Sequence, residues 1–473
     1  MKLVWLRRDL RAIDNSALVA ASQSGEPVAA LYVATPETWS RHGLAPIQAD
    51  LMFRRLSSLR VELEMQNIPL YYAEVSTYRS AADFVAETAK VNGITGVYFN
   101  REYEFDEQQR DHHLEELLES SSIECIGLDD KCIFKPGSVF NKQGAYFKVF
   151  TPFKKAYLAK LEQESFVVSK PVSTGGTAKC VGLEEFSPSS QFTYPRKDSQ
   201  AYSVETEDIL LQLREFVSEQ ANQYNDERDF PAIEGTSRLS AYLAIGALSV
   251  RQCMARLLYQ QSSPLSTGRE VWQSELIWRE FYQHLLHFES KLSKGKSFVA
   301  WGDQLHWKNN PQHIEAWKQG QTGYPIVDAA MRQLNQTGWM HNRLRMIVAS
   351  FLVKDLHVDW RIGEQYFMST LIDGDYAANN GGWQWCASTG CDGQPYFRIF
   401  NPITQGEKFD PNGEFVRRWV PELTEVPLKH LHKPWTWLDA KVLSYPSPIV
   451  DHKTERAITL DLYKEAKESV DRA

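Results

Sequence analysis

Cysteine is scarce in this chain, which has six thiols among 473 residues. So few cysteines in so long a chain do not form a disulfide framework, and we expect free thiols. Cys386 and Cys391 lie close together like a metal clip, but no second close pair with ligand spacing accompanies them. No H-E-x-x-H motif occurs either, so the sequence predicts no metal site.

Long hydrophobic runs are also missing. No apolar run reaches the roughly 18–20 residues that cross a bilayer, so we expect no membrane partner. The N-terminal stretch "MKLVWLRRDLRAIDN" lacks the small-residue cleavage site of a signal peptide and is typical of a first strand. We therefore expect a cytoplasmic protein, and we expect it to be a monomer.

The usual phosphate-binding motifs are absent as well. No predicted strand is followed by G-x-G-x-x-G, and "GKS" at 295–297 lacks the earlier glycine of a phosphate loop because position 290 is serine. The net charge of -8 argues against diffuse binding to nucleic acid, although it allows a local basic patch. The positions of the arginines therefore matter more than their number.

The pattern that is present divides the chain, whose length exceeds the roughly 250–300 residues at which a single core stops growing. From 1 to 130, helical patterns alternate with short β-rich runs: "KLVWL", "PVAALYV", "PLYYAEV", "TGVYFN" and "IECIGL". This alternation predicts an α/β domain with a parallel, Rossmann-like sheet. From 131 to 200 the periodicity fades into stretches rich in Ser, Pro and Gly, which indicates a long linker.

The remaining segment, 201–473, is predicted to be an all-α domain. Its helical patterns cover 204–221, 238–259, 269–290, 324–336, 339–357 and 362–370. Of the fourteen tryptophans, only Trp5 and Trp39 precede residue 271. This asymmetry favours a functional site in the helical domain.

The segment "GTSRLSAYLAIGALS" (235–249) places Thr236 and Ser237 where helix N-caps lie. The N-terminus of a helix presents unpaired N–H groups and a partial positive charge, which suits a phosphate. Helix capping alone explains most such sequences, so an anion site is only one of two interpretations.

The segment "VWQSELIWREFYQHLL" (271–286) places Trp272, Glu275 and Arg279 along one helical face. A purely structural helix would have aliphatic side chains there, whereas this face offers rings and opposed charges. It indicates either a lined cavity or a surface ion pair beside core tryptophans.

The segments at 338–356 and 371–385 add arginines, carboxylates and amides. Arg345 and Asp373 are a natural pair that could flank a polar ring. Gly382 in "NNGGWQW" would let a flat ligand approach the backbone closely. Solvated charges followed by a turn are the alternative, but together these segments suit a heteroaromatic ligand.

These motifs resemble the photolyase/cryptochrome family, and within it the bacterial class I cyclobutane pyrimidine dimer photolyases. The resemblance covers nearly the whole chain and rests on "LVWLRRDLRAIDN", "EGTSRLSAYLAIGALS", "ELIWREFYQHLL", "TGYPIVDAAMRQL", "GWMHNRLRM" and "DGDYAANNGGWQWCASTGCDGQPYFRIFNP". It implies a carbon–carbon lyase that uses light to split cyclobutane dimers in single- or double-stranded UV-damaged DNA. Excited FADH⁻ would give an electron to the dimer and recover it after the ring opens. When bound to DNA, the protein would be associated with the nucleoid.

The resemblance also implies the residues that hold FAD in the helical domain. They are Tyr224, Thr236, Ser237, Arg238, Leu239, Ser240, Trp272, Glu275, Arg279, Asn342, Arg345, Asp373, Gly374, Asp375 and Asn379. Asn379 matches the position that faces flavin N5, where photolyases carry asparagine and photoreceptors often carry other residues.

The DNA-binding and electron-carrying residues are implied in the same way. Trp278 and Trp385 would flank the extruded bases, with Glu275, Asn342 and Met346 beside the reacting dimer. The expected DNA phosphate contacts are Arg228, Arg343, Arg398 and Lys408, and Gln405 is a further expected DNA-binding residue. Trp383, Trp360 and Trp307 would carry electrons from the surface to the flavin, whereas core packing would explain Trp307 and Trp360 without the family.

An antenna chromophore is implied for the N-terminal domain. The folate-binding positions are His42, Asp106, Glu107 and Lys294. Asp106 replaces the expected asparagine, and its charge would weaken binding of a polyglutamylated folate. Despite this departure, the antenna that the resemblance implies is 5,10-methenyltetrahydrofolate, with an 8-hydroxy-deazaflavin as the alternative.

Two other functions are compatible with the family. A cryptochrome photoreceptor would signal through protein partners, but such receptors usually carry a long C-terminal extension, and only about 35 residues follow "HKPWTWLD" (432–439). Repair of (6-4) photoproducts is marked by histidines where this chain has Asn342 and Met346. Both alternatives rank below repair of cyclobutane dimers.

Overall fold

The structure, a computed structural model, describes residues 1–171, 176–187, 189–190, 192–259 and 264–471. Its elements up to residue 185 are β1 (Lys2–Leu6), α1 (Ser16–Ser22), β2 (Val28–Ala34), α2 (Pro36–Arg41), α3 (Pro46–Glu64), β3 (Leu70–Glu74), α4 (Tyr78–Val91), β4 (Gly96–Asn100), α5 (Phe105–Glu119), β5 (Glu124–Leu128), α6 (Phe150–Gln163) and β6 (Glu184–Glu185).

Beyond residue 200 the chain is helical. The helices are α7 (Thr206–Glu215), α8 (Tyr224–Glu227), α9 (Ser240–Ile245), α10 (Val250–Leu258), α11 (Thr267–Phe288), α12 (Pro311–Gln319), α13 (Pro325–Thr337), α14 (Asn342–Lys354), α15 (Trp360–Met368), α16 (Tyr376–Cys386), α17 (Pro402–Phe409), α18 (Glu414–Trp419), α19 (Leu428–Leu431) and α20 (His452–Asp471). A π-helical turn follows α7, and short 3-10 turns lie between several of the later helices.

The sheet has the strand order β5-β4-β1-β2-β3-β6. Strands β1 to β5 pair in parallel, and β6 adds two antiparallel residues at the outer edge of β3. Strands β1, β2 and β4 are buried along their whole length, which explains why their sequences are continuous apolar runs. The expected α/β domain with a parallel sheet and the helical domain are confirmed.

The chain forms two compact units. One comprises Met1–Asn222, Ser237–Ser290 and Ile372–Ala377, and the other comprises Gln223–Thr236, Lys291–Leu371 and Ala378–Ala473. The predicted domain boundaries at 130 and 200 stay predictions, and residues 172–175, 188 and 191 of the predicted linker lie outside the described residues.

Each unit has its own apolar core. The sheet packs Leu3, Trp5 and Leu31 against alanines and Val85 of α4. In the second unit, Trp317, Trp360 and Trp383 lie in a core built from α12 to α18. Local signals define the helix ends: Thr77 and Ser80 form a reciprocal cap on α4, and Gly338 ends α13 with φ of 70°.

One predicted helix was wrong in extent. The pattern at 238–259 forms two helices, α9 and α10, separated at Gly246, whose φ is 69°. A Cβ at Gly246 would lie 2.5 Å from the Cα of Asp9, so only glycine allows this close approach of the two backbones.

Candidate functional site

Helix α11 presents the predicted row of rings and charges. Trp272 is buried and packs at a tilt on Phe216, with ring centroids 5.1 Å apart. Trp278 is half-buried and stacks on Phe150 at a centroid distance of 3.7 Å and an interplanar angle of 10°. Glu275 is also half-buried on the same helix. The rings of Phe281 and Tyr282 each lie 5.6 Å from that of Trp278, and sequence reasoning did not identify its stack on Phe150.

Arg279 of α11 is held by backbone oxygens. Its Nη1 donates to the carbonyl of Lys131 at 2.8 Å, and its Nη2 donates to the carbonyl of Leu243 at 3.4 Å. Carbonyl groups orient a guanidinium without neutralising its charge. Arg279 therefore has a fixed orientation.

The turn that precedes α16 is fixed by polar side chains. Gln48 donates to the carbonyls of Ile372 and Gly374, both at 3.0 Å. Asp375 is buried and accepts from Gln283 at 3.3 Å, and Lys131 lies 3.4 Å from its other oxygen. Asp373 is buried in the same turn.

Sequence reasoning missed the partners of this turn. Burial alone would lower the pKa of Lys131, but the carboxylates of Asp375, Glu104 and Glu102 outweigh burial and raise that pKa. Lys131 is therefore a permanent cation beside Asp375. Its sequence distance from the turn, 244 positions, left no signal that could have found it.

The segment around residue 237 does not carry the expected caps. Helix α9 begins at Ser240 with Leu239 at the N-cap, and no side chain caps it. Thr236 and Ser237 precede the cap, and Ser237 offers its carbonyl to Gln212 at 2.8 Å. Arg238 has φ of 51°, which turns the chain before the helix can start. The prediction that Thr236 and Ser237 are N-caps was wrong.

Helix α14 carries four of the predicted residues in its first turns. Asn342 is exposed at the first position, after His341, whose ring accepts from the N–H of Arg343 at 3.2 Å. Arg345 donates from Nε to the carbonyl of Met340 at 2.8 Å, and Met346 is half-buried. Arg345 and Asp373 fall in different units, so their pairing stays a prediction.

Asn379 and Asn380 of α16 are both tied to Glu364 of α15. The side chain of Asn379 donates from Nδ2 to the carbonyl of Glu364 at 2.9 Å, and Asn380 donates to Oε1 of Glu364 at 2.7 Å. Gln384 extends this network by donating to Asn380 at 3.0 Å. Burial raises the pKa of Glu364 to about 7.

The glycines of "NNGGWQW" lie within α16, not in a turn. Among the described residues of the same unit, none has an atom within 4 Å of a Cβ built at Gly382. The helix therefore exposes its backbone at this position. This is the surface that the close approach of a flat ligand would require.

The three tryptophans of the expected electron path lie in one unit. Trp383 is buried with its ring edge-on to Phe367 at 5.0 Å and to Trp317 at 6.1 Å. Trp360 is fully buried at the start of α15, and Trp307 is half-buried, 6.5 Å from the ring of Tyr463. Trp385 packs partly buried against the same core.

Gly363 is a functional candidate that sequence reasoning missed. A Cβ at this position would overlap the indole of Trp383 and would lie 2.7 Å from Cδ2 of Leu352. Helix α15 thus accommodates Trp383 only because residue 363 has no side chain. A glycine inside a predicted helix was the one available signal.

The basic residues expected at DNA phosphates are half-buried or exposed. Arg398 and Lys408 are exposed, whereas Arg228, Arg343 and Gln405 are half-buried. Arg343 pairs with Asp229 at 2.7 Å, and its guanidinium lies 4.5 Å from the ring centre of Phe409. Three of these residues therefore lie near one another in the second unit: Arg228, Arg343 and Lys408.

The antenna residues of the first unit form a hydrogen-bonded group. Nε2 of His42 lies 2.9 Å from Oδ2 of Asp106, and the hydroxyl of Tyr78 donates to Glu107 at 3.1 Å. Burial, with the carboxylates of Glu104 and Glu102, raises the pKa of Glu107 to about 7. Lys294 belongs to the other unit, where it is exposed.

A small cavity of about 30 Å³ lies at the carboxyl ends of β1 and β2. Its lining combines rings with charged groups: Trp5, Arg7, Arg8, Tyr32, Val33, Thr35, Trp39, Leu44, Met52, Tyr78, Ala81, Glu102 and Arg110. In doubly wound sheets, ligands bind at the carboxyl ends of the strands. This cavity therefore has the position and the lining of a ligand site.

Two kinds of feature are absent from the part of the chain that the structure describes. In that part of the chain, no helix is long and apolar enough to cross a membrane. The same residues contain no group of three or more His, Cys, Asp or Glu side chains placed to hold a metal ion.

Both halves of the chain match known families. Residues 2–172 match the model described as DNA photolyase, and residues 272–465 match the model described as FAD binding domain of DNA photolyase. The chain is 58% identical over 468 residues to the deoxyribodipyrimidine photo-lyase of Vibrio cholerae serotype O1, which covers 99% of this chain and 100% of the relative.

Solved structures share the fold. A class III photolyase from Agrobacterium tumefaciens superposes with a TM-score of 0.82 at 33% identity, covering 99% of this chain and 98% of that chain. A cryptochrome from Synechocystis superposes with a TM-score of 0.84 at 26% identity, covering 98% and 99%. The fold alone is therefore common to proteins named photolyases and proteins named cryptochromes.

Proposed function

Because the chain belongs to the DNA photolyase family, we propose that it is a light-driven DNA repair enzyme, a lyase that reopens cyclobutane pyrimidine dimers in UV-damaged DNA. The identity to a deoxyribodipyrimidine photo-lyase over the full chain supports this function over the cryptochrome alternative. The structural observation that carries the proposal is the orientation of Asn379. Since its Nδ2 is used by the carbonyl of Glu364, its Oδ1 is left as the acceptor for the N5–H group of a reduced flavin.

The FAD-binding domain supplies side chains that fit this cofactor. In the first unit, Arg279 offers an oriented cation and the buried Asp375 an oriented carboxylate; in the second, Gly382 leaves the backbone of α16 accessible. We propose that these residues contact FAD, together with Tyr224, Thr236, Ser237, Arg238, Leu239, Ser240, Trp272, Glu275, Asn342, Arg345, Asp373, Gly374 and Asn379. When bound in its reduced form and excited by light, the flavin supplies the electron that opens the cyclobutane ring.

The lesion is proposed to be held by aromatic and polar side chains. Extruding the two linked pyrimidines from the duplex costs a few kcal/mol, and stacking on an aromatic ring returns about 1–3 kcal/mol for each base. Trp278 and Trp385 would supply those rings, and the stack of Trp278 on Phe150 fixes the plane of its indole. Glu275 and Asn342 would bond the pyrimidine edges, with Met346 beside them.

Phosphate contacts are proposed for Arg228, Arg343, Arg398 and Lys408, and Gln405 is proposed to contact the DNA beside them. Their half-buried or exposed positions leave their polar groups within reach of a nucleic-acid backbone. Trp307, Trp360 and Trp383 are proposed to carry electrons inward from the surface. The common core that contains or contacts all three supports this role.

The antenna chromophore remains a proposal with two candidates. The charge of Asp106, paired with His42, disfavours a polyglutamylated folate at His42, Asp106, Glu107 and Lys294. The rings and charged groups that line the cavity beside Trp5 and Tyr78 suit the flat ring of either chromophore. An absorption spectrum of the purified protein would distinguish the two chromophores. The cytoplasmic location and the monomeric state also stay predictions from the sequence.

Repair of a defined lesion tests the proposed function. Under near-UV or blue light, the protein with fully reduced flavin should restore a cyclobutane thymine dimer in an oligonucleotide to thymines. Glu275→Ala should slow restoration while FAD stays bound, and Glu270→Ala, an exposed position on the same helix, serves as the matched control. Absence of restoration by the parent protein would refute the lyase function.

A further inference from the structure

Arg343 already binds a carboxylate of its own unit. Nη2 of Arg343 lies 2.7 Å from Oδ2 of Asp229, and Nε lies 3.3 Å from Oδ1. This two-pronged arrangement is the geometry in which a guanidinium also binds a phosphate. The Nε edge of Arg343 is therefore occupied by Asp229.

The pair lies within reach of a ligand. The Arg343 side chain is 19% exposed and that of Asp229 is 35% exposed. A partly exposed ion pair contributes little net stability, so a competing anion can displace it. Phe409 supports the guanidinium from one side, at 4.5 Å, which keeps Arg343 in place when its partner changes.

Three basic side chains lie around Asp229 and the Phe409 ring. Nε of Arg228 lies 3.9 Å from Oδ1 of Asp229, and Nζ of Lys408 lies 5.0 Å from the centre of the Phe409 ring that Arg343 also covers. Removing the charge of Asp229 would raise the net charge of these four groups from +2 to +3.

We propose that Asp229 is an internal competitor for DNA phosphate at Arg343 and so lowers the general affinity of this surface for DNA. The inference rests on the proposed function, because it takes the ligand to be a DNA phosphate. Nη1 of Arg343 takes no part in the bond to Asp229, so it is left to contact a phosphate. Asp229 therefore weakens phosphate binding at Arg343 without abolishing it. Since undamaged sites far outnumber lesions, weaker general affinity releases the protein from them sooner.

The substitution Asp229→Asn tests the inference on purified protein. It keeps the shape of the side chain and removes its charge. Affinity for an undamaged duplex at low salt should rise roughly 3- to 10-fold, and the slope of log K against log salt should steepen by up to about 0.9, the value for one added phosphate contact. Fluorescence anisotropy across a salt series measures both quantities.

Two controls separate a local effect from a general one. Asp226→Asn makes the same charge change three residues earlier, at an exposed side chain that accepts a hydrogen bond from Asn225; it should change affinity and slope much less. In an Arg343→Gln background, Asp229→Asn should lose most of its effect, because the two residues act as a pair.

Three results would overturn the inference. The first is that Asp229→Asn and Asp226→Asn change DNA affinity equally. The second is that Asp229→Asn changes the affinity as much in the Arg343→Gln background as in the parent. The third is that Asp229→Asn weakens DNA binding. The last would mean that Asp229 positions Arg343 for phosphate. Repair by the parent protein is measured first. If the parent neither binds nor repairs DNA, the proposed function fails. If the parent repairs DNA but the effects of Asp229→Asn and Arg343→Gln are independent, only the role of Asp229 is removed.

Discussion

Replacing Gly363 by alanine should displace Trp383 and destabilise the protein. The new methyl group would overlap the indole of Trp383 and would lie 2.7 Å from Cδ2 of Leu352. Trp383 is only 2% exposed and packs edge-on against Phe367, so it has little room to move. Overpacking a buried site costs about 1–3 kcal/mol. Replacing glycine by alanine inside a helix returns roughly 0.5–1 kcal/mol, so we expect a net loss of about 1–2 kcal/mol.

Thermal unfolding and flavin photoreduction measure the two consequences. A loss of 1 kcal/mol lowers Tm by about 2–4 °C in a domain of roughly 150–250 residues. Photoreduction of oxidised flavin with an external donor should slow because Trp383 has moved. Gly382→Ala is the matched control for the unfolding measurement alone, since the same methyl group meets no described atom of its unit within 4 Å, whereas Gly382 is itself proposed to lie against the flavin. Unchanged Tm and photoreduction in Gly363→Ala would refute the packing argument.

Three further predictions concern single side chains. Trp383→Phe should block photoreduction of oxidised flavin and spare repair by protein that is already reduced. Asp106→Asn should strengthen binding of methenyltetrahydrofolate, seen in the absorption spectrum, because it removes a charge beside the folate positions. Glu364→Gln should change the pH dependence of unfolding. Burial raises the pKa of Glu364 from 4.5 to about 7. The stabilisation that the protonated Glu364 adds to the free energy of unfolding is therefore fully present below about pH 4.5 and is lost as the pH rises through 7. The variant should therefore show a flatter fall in the free energy of unfolding across that range.

Each of these predictions has a contradicting result. Photoreduction at the parent rate in Trp383→Phe would remove Trp383 from the electron path. Folate binding that is unchanged in both Asp106→Asn and His42→Gln would show that this hydrogen-bonded pair does not touch the antenna. Parallel curves of unfolding free energy against pH for the parent and Glu364→Gln would show that Glu364 does not titrate there.

The sequence predicted the sheet because its strands are buried on both faces. Such strands are continuous apolar runs, and "KLVWL" and "PVAALYV" became β1 and β2. The sequence failed where local propensity misled: α16 contains two asparagines and two glycines, which are poor helix formers, and no helix was predicted there. Arg238 and Gly246 broke a helix whose apolar pattern looked continuous.

The candidate site also combines residues that a local motif marks with residues that only the fold brings to them. Residues that a motif carries, such as Asn379 and Trp383, could be named from the sequence. Their supports could not, because Glu364, Lys131 and Asp229 reach the site residues only after the chain folds. No local periodicity encodes a contact between a turn and a lysine 244 positions earlier. Supporting contacts of this kind have to be read from the structure.

The two-residue strand β6 also affects how the sheet meets other chains. It pairs Glu184 and Glu185 with Tyr72 and Tyr71 on the outer edge of β3. An open strand edge invites another chain to extend the sheet, whereas a short strand with charged side chains discourages it. Because both residues of β6 are exposed glutamates, a second copy that approached this edge would meet two negative charges and little free backbone. The acidic strand thus protects the sheet from edge-to-edge aggregation.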